Sequence, residues 1–417
     1  MEVTIHPSGL RGKAEAPPSK SLTQRAIAAG VLSLGETVIH NPSFCNDSLA
    51  AMSMATALGS SVTRDQNLIT IQNGHSLASR VILHCGESGL ALRMFAPIAA
   101  LLSDRVTLNG EGSLLRRPVK MIGEALGQLG VKVESNNGLL PVTLTGRMRG
   151  GRAAIDGSAG SQLLTGLLMA LPLAGEDSEI LVTGLRSKPY ISLTIKLLED
   201  FGITVINSDF SHFSIRGNQS YRAREYNIEG DWSGSAFLLV AGALAGEVSV
   251  RNLHIGSMQA DRAIIKALVD AGCHVAEKDD CVGTASSNLR SFEFDATDSP
   301  DLFPPLAALA SRCNGTSRIR GVSRLKDKES DRAEAIADVL GMTGISVHFD
   351  DDEMLITGGN IKGAVVSSHN DHRIAMMAAV MGTVATGAVT IAGAGAVNKS
   401  FPDFFDTMAL LGGRISL

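Results

Sequence analysis

Runs of small apolar residues recur along the chain, and each follows a polar or glycine-rich turn. Because these residues are apolar nearly all round a helix, they predict helices that are packed on every side. The runs begin about 70 residues apart, which indicates one supersecondary unit used repeatedly. The six segments are 17–35, 85–104, 156–175, 230–246, 299–315 and 369–387.

A second set of segments alternates with the first and has the apolar spacing of helices that expose one face to solvent. Each ends on a glycine suited to a left-handed C-cap. The six segments are 45–59, 119–130, 191–202, 259–272, 328–341 and 401–412. After each of the first five, alternating apolar and polar residues with a turn predict a β-hairpin, as in ISVHFDDDEMLITGG.

These elements predict an α/β protein of six βαβαββ units, with the buried helices inside and the sheets around them, in two halves of three units each. The last unit ends at GRISL without its final strand, and the opening MEVTIHP is a strand that supplies it. Both chain ends then belong to one half. We therefore expect a domain of residues 1–18 and 230–417, and an inserted domain of residues 19–229.

Composition narrows the classes of function. The chain is 44% hydrophobic and 19% charged, with a net charge of −5, so no global basic field attracts nucleic acid or an anionic membrane surface. Aromatic residues are only 4%, which leaves little material for base stacking.

The first 20 residues lack the order of a signal peptide, and we expect a cytoplasmic protein. The five scattered cysteines predict buried free thiols.

Cations collect at the predicted helix starts, although the chain as a whole is acidic. Helix N-termini already present free N–H groups and a partial positive charge, so added cations build sites for phosphate or carboxylate. Surface charge is the alternative for any single residue, but recurrence in several repeats disfavours it for the set. The cations are Lys20, Arg25, Arg93, Arg117, Lys328, Arg332, Arg373 and Lys399.

The segment KESDR, 328–332, combines cations with an acid. Four residues apart on a helix, Lys328 and Arg332 would share a face, with Glu329 beside Lys328 in the first turn. Such surroundings make Glu329 a candidate for proton transfer, and an exposed charged helix start is the alternative. Asp301, at the opening of the fifth buried helix, is a second candidate acid or else a first-turn partner of the helix dipole.

Two other motifs do not support a site. GAGAVNKS, 393–400, nearly fits a phosphate loop, but Asn398 stands where that loop needs glycine before the lysine. HNDH, 369–372, has a spacing seen in metal sites, yet no further ligands complete one, and capping and orientation by Asp371 are favoured.

Ten ordered blocks resemble the 5-enolpyruvylshikimate-3-phosphate synthase family over essentially the whole chain: PPSKSLTQRA, CGESGLALR, RRPV, DGSAGSQLLTGLLM, SKPYISLT, EGDWSGSAF, SPDLFPPLA, KESDR, NDHRIAM and NKSFPDFF. The resemblance implies two inside-out α/β domains, each of three βαβαββ units around buried helices, joined by a two-stranded hinge. In that fold the helix N-termini of both domains point into the cleft between them. We expect the domains to close over anionic substrates when shikimate 3-phosphate binds.

The activity that the resemblance implies is transfer of the enolpyruvyl group of phosphoenolpyruvate to the 5-hydroxyl of shikimate 3-phosphate, with no metal and no organic cofactor. By position, the residues similar to the family's catalytic groups are Asp301, Glu329, Lys328 and Lys20. Those similar to its shikimate 3-phosphate site are Lys20, Ser21, Arg25, Ser161, Gln162, Ser187, Tyr190, Asp301 and Lys328. Those similar to its phosphoenolpyruvate site are Lys20, Gly89, Arg117, Gln162, Arg332, Arg373 and Lys399.

Five positions depart from the family's usual residues, and the first three adjoin the implied phosphoenolpyruvate pocket, where they concern the affinity for that substrate and the sensitivity to the family's inhibitor glyphosate. They are Glu87 for Asn, Leu90 for Thr, Met94 for Pro, Gly160 for Ser and Arg324 for Asn.

The alternatives to this function are the sister enzyme that acts on UDP-N-acetylglucosamine, and a non-catalytic anion-binding or RNA-end-binding relative. The loop before Arg117 lacks the sister enzyme's cysteine, and the acidic balance disfavours RNA. We expect small-molecule substrates, no nucleic acid, no membrane and a monomer.

Overall fold

A computed structural model describes residues 1–74 and 80–417 of the protein. The chain divides into two compact units and passes twice from one to the other. One unit consists of Met1–Pro17 with Glu229–Leu417, and we call it the terminal unit. The other is Pro18–Ile228, which we call the inserted unit. Each crossing therefore lies at a junction between neighbouring residues, Pro17 with Pro18 and Ile228 with Glu229.

The runs of small apolar residues form helices that are buried along nearly their whole length, as the sequence predicts. Every residue from Trp232 to Ala243 is buried in the fourth of them, for example. Such helices carry apolar side chains on every face, so neighbouring elements pack against them on all sides. They are α1 (Lys20–Leu32), α3 (Gly89–Leu102), α5 (Gln162–Ala170), α7 (Trp232–Ala245), α9 (Phe303–Ala310) and α11 (His372–Gly382).

The second set of helices buries one face and exposes the other. Five of them are followed by a glycine with φ between 82° and 100°, the left-handed conformation that the sequence predicts. These glycines are Gly59, Gly130, Gly202, Gly272 and Gly412. The helices are α2 (Asn46–Ala57), α4 (Lys120–Gln128), α6 (Lys188–Asp200), α8 (Ile264–Asp270), α10 (Arg332–Met342) and α12 (Phe404–Leu410).

Helix α10 corrects the sequence prediction at both of its ends. The prediction began the helix at Lys328, but Asp331 is its N-cap, and the Asp331 carboxylate accepts a hydrogen bond from the Glu334 N–H. At the other end the predicted C-cap, Gly341, lies inside the helix, and Gly344 instead takes the left-handed conformation with φ 81°. Lys328 and Glu329 are therefore in the loop before the helix.

The described strands number 26 in chain order. Those of the terminal unit before the first crossing are β1 (Glu2–His6) and β2 (Leu10–Glu15). Those of the inserted unit are β3 (Ser33–Leu34), β4 (Glu36–His40), β5 (Ser61–Asp65), β6 (Leu68–Gln72), β7 (Val81–His84), β8 (Arg105–Asn109), β9 (Lys132–Asn136), β10 (Leu139–Thr145), β11 (Arg152–Asp156), β12 (Ser178–Thr183), β13 (Val205–Ser208), β14 (His212–Ile215), β15 (Tyr221–Arg222) and β16 (Glu225–Asn227).

The remaining strands follow the second crossing. They are β17 (Gly246–Arg251), β18 (His274–Lys278), β19 (Cys281–Ala285), β20 (Glu293–Asp295), β21 (Thr316–Arg320), β22 (Ser346–Asp350), β23 (Glu353–Thr357), β24 (Ala364–Ser367), β25 (Val389–Ala392) and β26 (Arg414–Ser416).

Six four-stranded sheets of one topology form from the described strands, and each corresponds to one βαβαββ unit. In the sheet β7-β8-β10-β9, for example, β7 is parallel to β8, and β10 runs antiparallel to both β8 and β9. The parallel pair is joined through a buried helix, which covers the inner face of the sheet. The five predicted hairpins are the antiparallel pairs β5–β6, β9–β10, β13–β14, β18–β19 and β22–β23.

Three of the sheets contain a strand that is distant in sequence. Strand β1 pairs with β25 and β26 and completes the last unit, as the sequence predicts for MEVTIHP. Strand β2 lies parallel to β17, and β16 lies parallel to β4. The sequence analysis did not identify β2 or β16. Each of them precedes a crossing and supplies the first strand of a unit whose helices come much earlier or later in the chain.

The terminal unit and the inserted unit each have their own hydrophobic core. In the terminal unit the core contains the single tryptophan, Trp232, together with Phe237 and Phe404, all fully buried. Complete burial of one such side chain contributes about 1.5–3 kcal/mol. All five cysteines are free thiols, and four of them are buried as predicted, whereas Cys281 is half-buried. Over residues 1–74 and 80–417, none of the helices has the length and apolar character to span a membrane.

Candidate active site

Arg332, the first residue of α10, is the centre of a charged cluster in the terminal unit. It is fully buried. Its Nη1 lies 2.7 Å from Asp301 Oδ1, its Nη2 lies 2.5 Å from Glu329 Oε2, and its Nε lies 2.9 Å from Asp371 Oδ2. We call these residues with Lys328 and Arg373 the Arg332 cluster, which contains three cations and three carboxylates. A buried guanidinium with this many acceptors is held in one orientation.

Arg373 shares Asp301 with Arg332. Its Nη2 lies 3.1 Å from Asp301 Oδ2, and its Nη1 donates to Ser233 Oγ at 2.6 Å. Ser233 is held in turn by Asp231, the N-cap of α7, which accepts from the Ser233 N–H at 2.8 Å. The starts of α10 and α11 therefore meet at the Asp301 carboxylate, and the start of α7 is connected to it through Arg373.

Asp371 supports both arginines. As the N-cap of α11 it accepts from the backbone N–H of Arg373 at 2.9 Å, while its other oxygen accepts from Arg332 Nε. Asp371 is fully buried, so it stays where the two bonds hold it. This confirms the prediction that Asp371 caps and orients. Losing one member of such a buried ion pair typically costs about 3–5 kcal/mol.

The sequence prediction of a shared helical face for Lys328 and Arg332 was wrong, because the helix begins only at Arg332. The loop nevertheless brings both residues to Asp301, with Lys328 Nζ 4.0 Å from Asp301 Oδ1. Glu329 reaches Arg332 from the same loop. A backbone bond from the Arg332 N–H to the Leu325 carbonyl, 3.3 Å, closes this loop at the helix start.

The charges of the cluster change the protonation of its members. Burial by itself raises the pKa of the Asp301 carboxyl, but Arg373, Lys328 and Arg332 outweigh it and hold that pKa well below its usual value. Burial lowers the pKa of Lys328 to about 8, against the opposing effect of Asp301. Asp301 is therefore a stabilised carboxylate here, whereas Lys328 loses its charge more easily than an ordinary lysine.

Lys399 lies at the end of a 3₁₀ helix, Ala394–Lys399, and is mostly buried. Its Nζ donates to the backbone carbonyl of Asn370 at 2.8 Å. Asn370 directly precedes the α11 cap, so Lys399 lies beside the same helix start as Arg373. The rejected phosphate-loop motif is this 3₁₀ helix.

In the inserted unit, Lys20 forms an ion pair with Asp47. Lys20 is the first residue of α1, and its Nζ lies 3.1 Å from Asp47 Oδ2 in the first turn of α2. Both side chains are largely buried, with 14% and 11% of their surface exposed. The ion pair holds the Lys20 ammonium in place beside the starts of α1 and α2.

Arg25 is buried among hydroxyl groups. Its Nε donates to Thr194 Oγ1 at 3.0 Å and its Nη1 donates to the Ser21 carbonyl at 2.9 Å. The Tyr190 ring lies 6.0 Å from the guanidinium carbon. Burial lowers the pKa of Arg25 to about 10. The predicted residues Ser21, Arg25 and Tyr190 are thus neighbours, and Thr194 joins them as a residue that the sequence analysis did not identify.

Gly89, Arg93, Arg117 and Gln162 form a third group, which we call the Gly89 cluster. Arg93 Nη1 donates to Gln162 Oε1 at 3.0 Å and connects α3 to α5. A Cβ atom at Gly89 would lie 2.6 Å from Arg117 Nη1 and 2.8 Å from Arg93 Nη1. Only glycine leaves room for two guanidinium groups over the start of α3.

The other predicted residues of the inserted unit lie at helix starts. Ser161 is the N-cap of α5, and Ser187 is the N-cap of α6 with φ 58°. Gly160 has φ 136°, so the serine usual in the family would be strained there. Leu90 and Met94 follow Gly89 in the chain, but both are buried in the hydrophobic core of this unit.

Asp47, Thr194 and Ser233 are the site neighbours that sequence reasoning missed. Asp47 and Ser233 stand in the first turns of α2 and α7, and this position next to a helix start was the available signal. Within the described parts of the chain, no group of three or more His, Cys, Asp or Glu side chains is placed to hold a metal ion.

The sequence is similar to one protein family over nearly its full length. The model of the family described as EPSP synthase (3-phosphoshikimate 1-carboxyvinyltransferase) matches residues 5–408. A protein named 3-phosphoshikimate 1-carboxyvinyltransferase from Clostridium kluyveri is 38% identical over 416 residues, which cover 99% of this chain and 98% of the relative. One of the same name from Methanocorpusculum labreanum is 37% identical over 417 residues, with 99% of both chains covered.

Solved structures are similar over the same extent. EPSP synthase from Acinetobacter baumannii has a TM-score of 0.83 and 25% identity, with 100% of both chains covered. The enolpyruvyl transferase NikO from Streptomyces tendae has a TM-score of 0.79, covering 100% of this chain and 98% of that one, and at 17% identity it supports the fold alone.

Proposed function

The chain belongs to the EPSP synthase (3-phosphoshikimate 1-carboxyvinyltransferase) family, and from this we propose that it transfers the enolpyruvyl group of phosphoenolpyruvate to the 5-hydroxyl of shikimate 3-phosphate. The products are 5-enolpyruvylshikimate 3-phosphate and phosphate, in the shikimate route to chorismate and the aromatic amino acids. The hydroxyl oxygen bonds to the central carbon of phosphoenolpyruvate while the methylene carbon gains a proton. Loss of a methyl proton and of phosphate then restores the double bond.

This chemistry needs a base, an acid and fixed cations, because both substrates are anions. Asp301 takes the proton of the 5-hydroxyl. Glu329 delivers a proton to the methylene carbon, with Lys328 as its companion, and Lys20 is the further catalytic cation. The contacts in the Arg332 cluster support these roles, since Asp301 and Glu329 both accept from the Arg332 guanidinium.

The remaining predicted residues bind the anions. For shikimate 3-phosphate we propose Lys20, Ser21, Arg25, Ser161, Gln162, Ser187, Tyr190, Asp301 and Lys328. For phosphoenolpyruvate we propose Lys20, Gly89, Arg117, Gln162, Arg332, Arg373 and Lys399. The close approach of Arg117 to Gly89, and the buried position of Arg332, support the second set.

Anion binding also prepares the base. Without substrate, Asp301 accepts from Arg332 and Arg373 and is too well stabilised to take a proton readily. The phosphate or carboxylate of phosphoenolpyruvate competes for the same donors. Once those donors bind the substrate, its negative charge offsets theirs, and the pKa of Asp301 rises toward that of a useful base.

One observation carries the proposal: the two oxygens of Asp301 lie 2.7 Å from Arg332 and 3.1 Å from Arg373, with Lys328 4.0 Å away. A candidate base therefore lies directly among the groups assigned to phosphoenolpyruvate. Cations that only cover the protein surface would not converge on one carboxylate in this way.

Phosphate release tests the reaction. Phosphoenolpyruvate is supplied with shikimate 3-phosphate, with UDP-N-acetylglucosamine, or alone, to the wild type and to Lys20→Ala and Asp301→Ala. We expect release only with shikimate 3-phosphate, and a kcat at least about 100-fold lower in both variants. The exposed residues Lys326 and Asp350 provide the controls Lys326→Ala and Asp350→Asn, which should stay within about twofold of the wild type.

Two results would count against the proposal. Release with UDP-N-acetylglucosamine in place of shikimate 3-phosphate would exclude the proposed acceptor. Full activity of Asp301→Ala, with shikimate 3-phosphate as acceptor, would exclude Asp301 as the base while leaving the reaction intact.

The location, oligomeric state and domain division of the protein belong to the same proposal. The protein works in the cytoplasm as a monomer without nucleic acid, and residues 1–18 with 230–417 and residues 19–229 act as its two functional domains. The net charge of −5 supports the absence of a nucleic-acid partner. Light scattering after size exclusion should give 43.6 kDa, and twice that mass would exclude the monomer.

A further inference from the structure

The Gly89 cluster depends on the distance between two turns of the inserted unit, one before Gly89 and one before Arg117. The first turn, in which the Ser88 N–H donates to the Cys85 carbonyl at 3.0 Å, leads into α3 at Gly89. The second contains the 3₁₀ helix Gly112–Arg116 and leads to Arg117. Because Arg117 Nη1 fills the space beside Gly89, a shift of either turn moves the guanidinium away from that helix start.

Glu87 connects the two turns. Its Oε2 accepts from the Ser113 backbone N–H at 2.8 Å, and a backbone bond from the Glu111 N–H to the Gly86 carbonyl, 2.9 Å, runs beside it. Gly112 has φ 54°, and a Cβ atom there would lie 2.3 Å from the Glu87 carboxyl carbon. The second turn is thus shaped to receive this carboxylate, both by its donor and by its missing side chain.

We propose that Glu87 is a positioning residue for phosphoenolpyruvate: its carboxylate holds the Gly112–Arg116 turn against the start of α3 and so fixes Arg117 over Gly89. This inference rests on the proposed function, in which Arg117 and Gly89 bind that substrate. An ionised acceptor makes a stronger bond to a backbone N–H than a neutral one, which suits a contact between two turns.

A purely electrostatic role for Glu87 predicts the opposite effect. A negative charge near Arg117 would weaken the attraction for an anionic substrate, so removing the charge by any substitution would lower the KM for phosphoenolpyruvate. Positioning instead depends on the acceptor oxygen. Glu87→Gln keeps an acceptor of the same length without charge, and Glu87→Ala removes it.

The test compares wild type, Glu87→Gln, Glu87→Ala and Gly112→Ala, with Glu111→Gln as the control for loss of a nearby exposed carboxylate. We expect the KM for phosphoenolpyruvate to rise about tenfold in Glu87→Ala with kcat within about threefold, as suits the loss of one charge-assisted hydrogen bond. Gly112→Ala should match Glu87→Ala, since its Cβ displaces the carboxylate. Glu87→Gln and Glu111→Gln should stay within about threefold of the wild-type KM.

Amide hydrogen exchange of the free protein supplies a readout that does not depend on turnover. Exchange over residues 110–118 should be faster in Glu87→Ala and Gly112→Ala, and unchanged in Glu87→Gln and Glu111→Gln. A lowered KM in both Glu87 variants, or equal exchange in all five proteins, would overturn the positioning role. A wild type without activity would defeat the proposed function, while the exchange experiment would still decide whether Glu87 holds the turn.

Discussion

At the residue scale, Lys328 is a member of the Arg332 cluster whose charge changes at mildly alkaline pH. Burial brings its pKa down to about 8, and Arg332 and Arg324 act in the same direction, whereas Asp301 and Glu329 oppose them. The charged form is therefore present below about pH 8 and is lost above it. Asp301, whose pKa is held low by three cations, stays ionised over the same range.

We accordingly predict that kcat/KM for phosphoenolpyruvate falls above about pH 8, by about tenfold per pH unit, because this ratio reports the protonation of the free enzyme. In Lys328→Arg the fall should move to higher pH, since a guanidinium keeps its charge. Initial rates between pH 6 and 10 measure both profiles. Lys326→Arg, an exposed neighbour, should retain the wild-type profile, and an unchanged alkaline fall in Lys328→Arg would exclude Lys328 as its cause.

At the scale of elements, the packing of α3 against α5 sets the distance between Arg93 and Gln162. Gly166 lies in the middle of α5, where a Cβ atom would be 2.5 Å from the Met94 carbonyl oxygen and 2.9 Å from the Arg93 carbonyl oxygen. These are backbone atoms of a buried helix, which do not move aside easily. The two helices therefore approach to a distance that only glycine allows.

Gly166→Ala should lower the free energy of unfolding by about 1–3 kcal/mol through overpacking, and should raise the KM for phosphoenolpyruvate because α5 is displaced from Arg93. Gly127→Ala, on the exposed face of α4 with open space at the Cβ position, is the matched control and should stabilise by about 0.5–1 kcal/mol. Urea unfolding measures both. Equal stability of the two variants would contradict the packing argument.

At the scale of the whole molecule, three sheets depend on strands that the chain supplies from far away. Strand β1 lies between β25 and β26 in the sheet of the last unit, and its residues Val3 and Ile5 are fully buried. Strand β26, by contrast, is at the edge of that sheet. The residues of β1 therefore belong to the core of the terminal unit, which carries Asp301 and Arg332, although none of them is a site residue.

Removal of residues 1–8 should unfold the terminal unit at much lower urea than in the full chain, since two fully buried side chains and both ladders of β1 are lost. The single tryptophan, Trp232, is buried in that unit, so its fluorescence follows this transition. Removal of residues 414–417, which takes away only the edge strand, should shift the transition less. An identical midpoint for the full chain and the chain without residues 1–8 would contradict the prediction.

Local patterns sufficed for the elements that repeat. The six buried helices, the six half-buried helices, the hairpins and the closing role of MEVTIHP follow from apolar periodicity and turn residues, and the enolpyruvyl transferase fold predicted from them and from the family blocks is confirmed. Strands β2 and β16 escaped prediction because their partners, β17 and β4, are far away in the chain.

The sequence by itself determined the family, the repeated unit and the kinds of charged residue at the helix starts, because these depend on neighbours along the chain. Only the tertiary structure decided which charges meet. Arg332 and Asp371 are 39 residues apart, and Arg25 and Thr194 are 169 apart. Their contacts depend on helices brought together by packing, and the link from Glu87 to Ser113 depends on two turns brought together in the same way. The same packing sets the pKa of Lys328, since burial and neighbouring charge exist only in the folded chain.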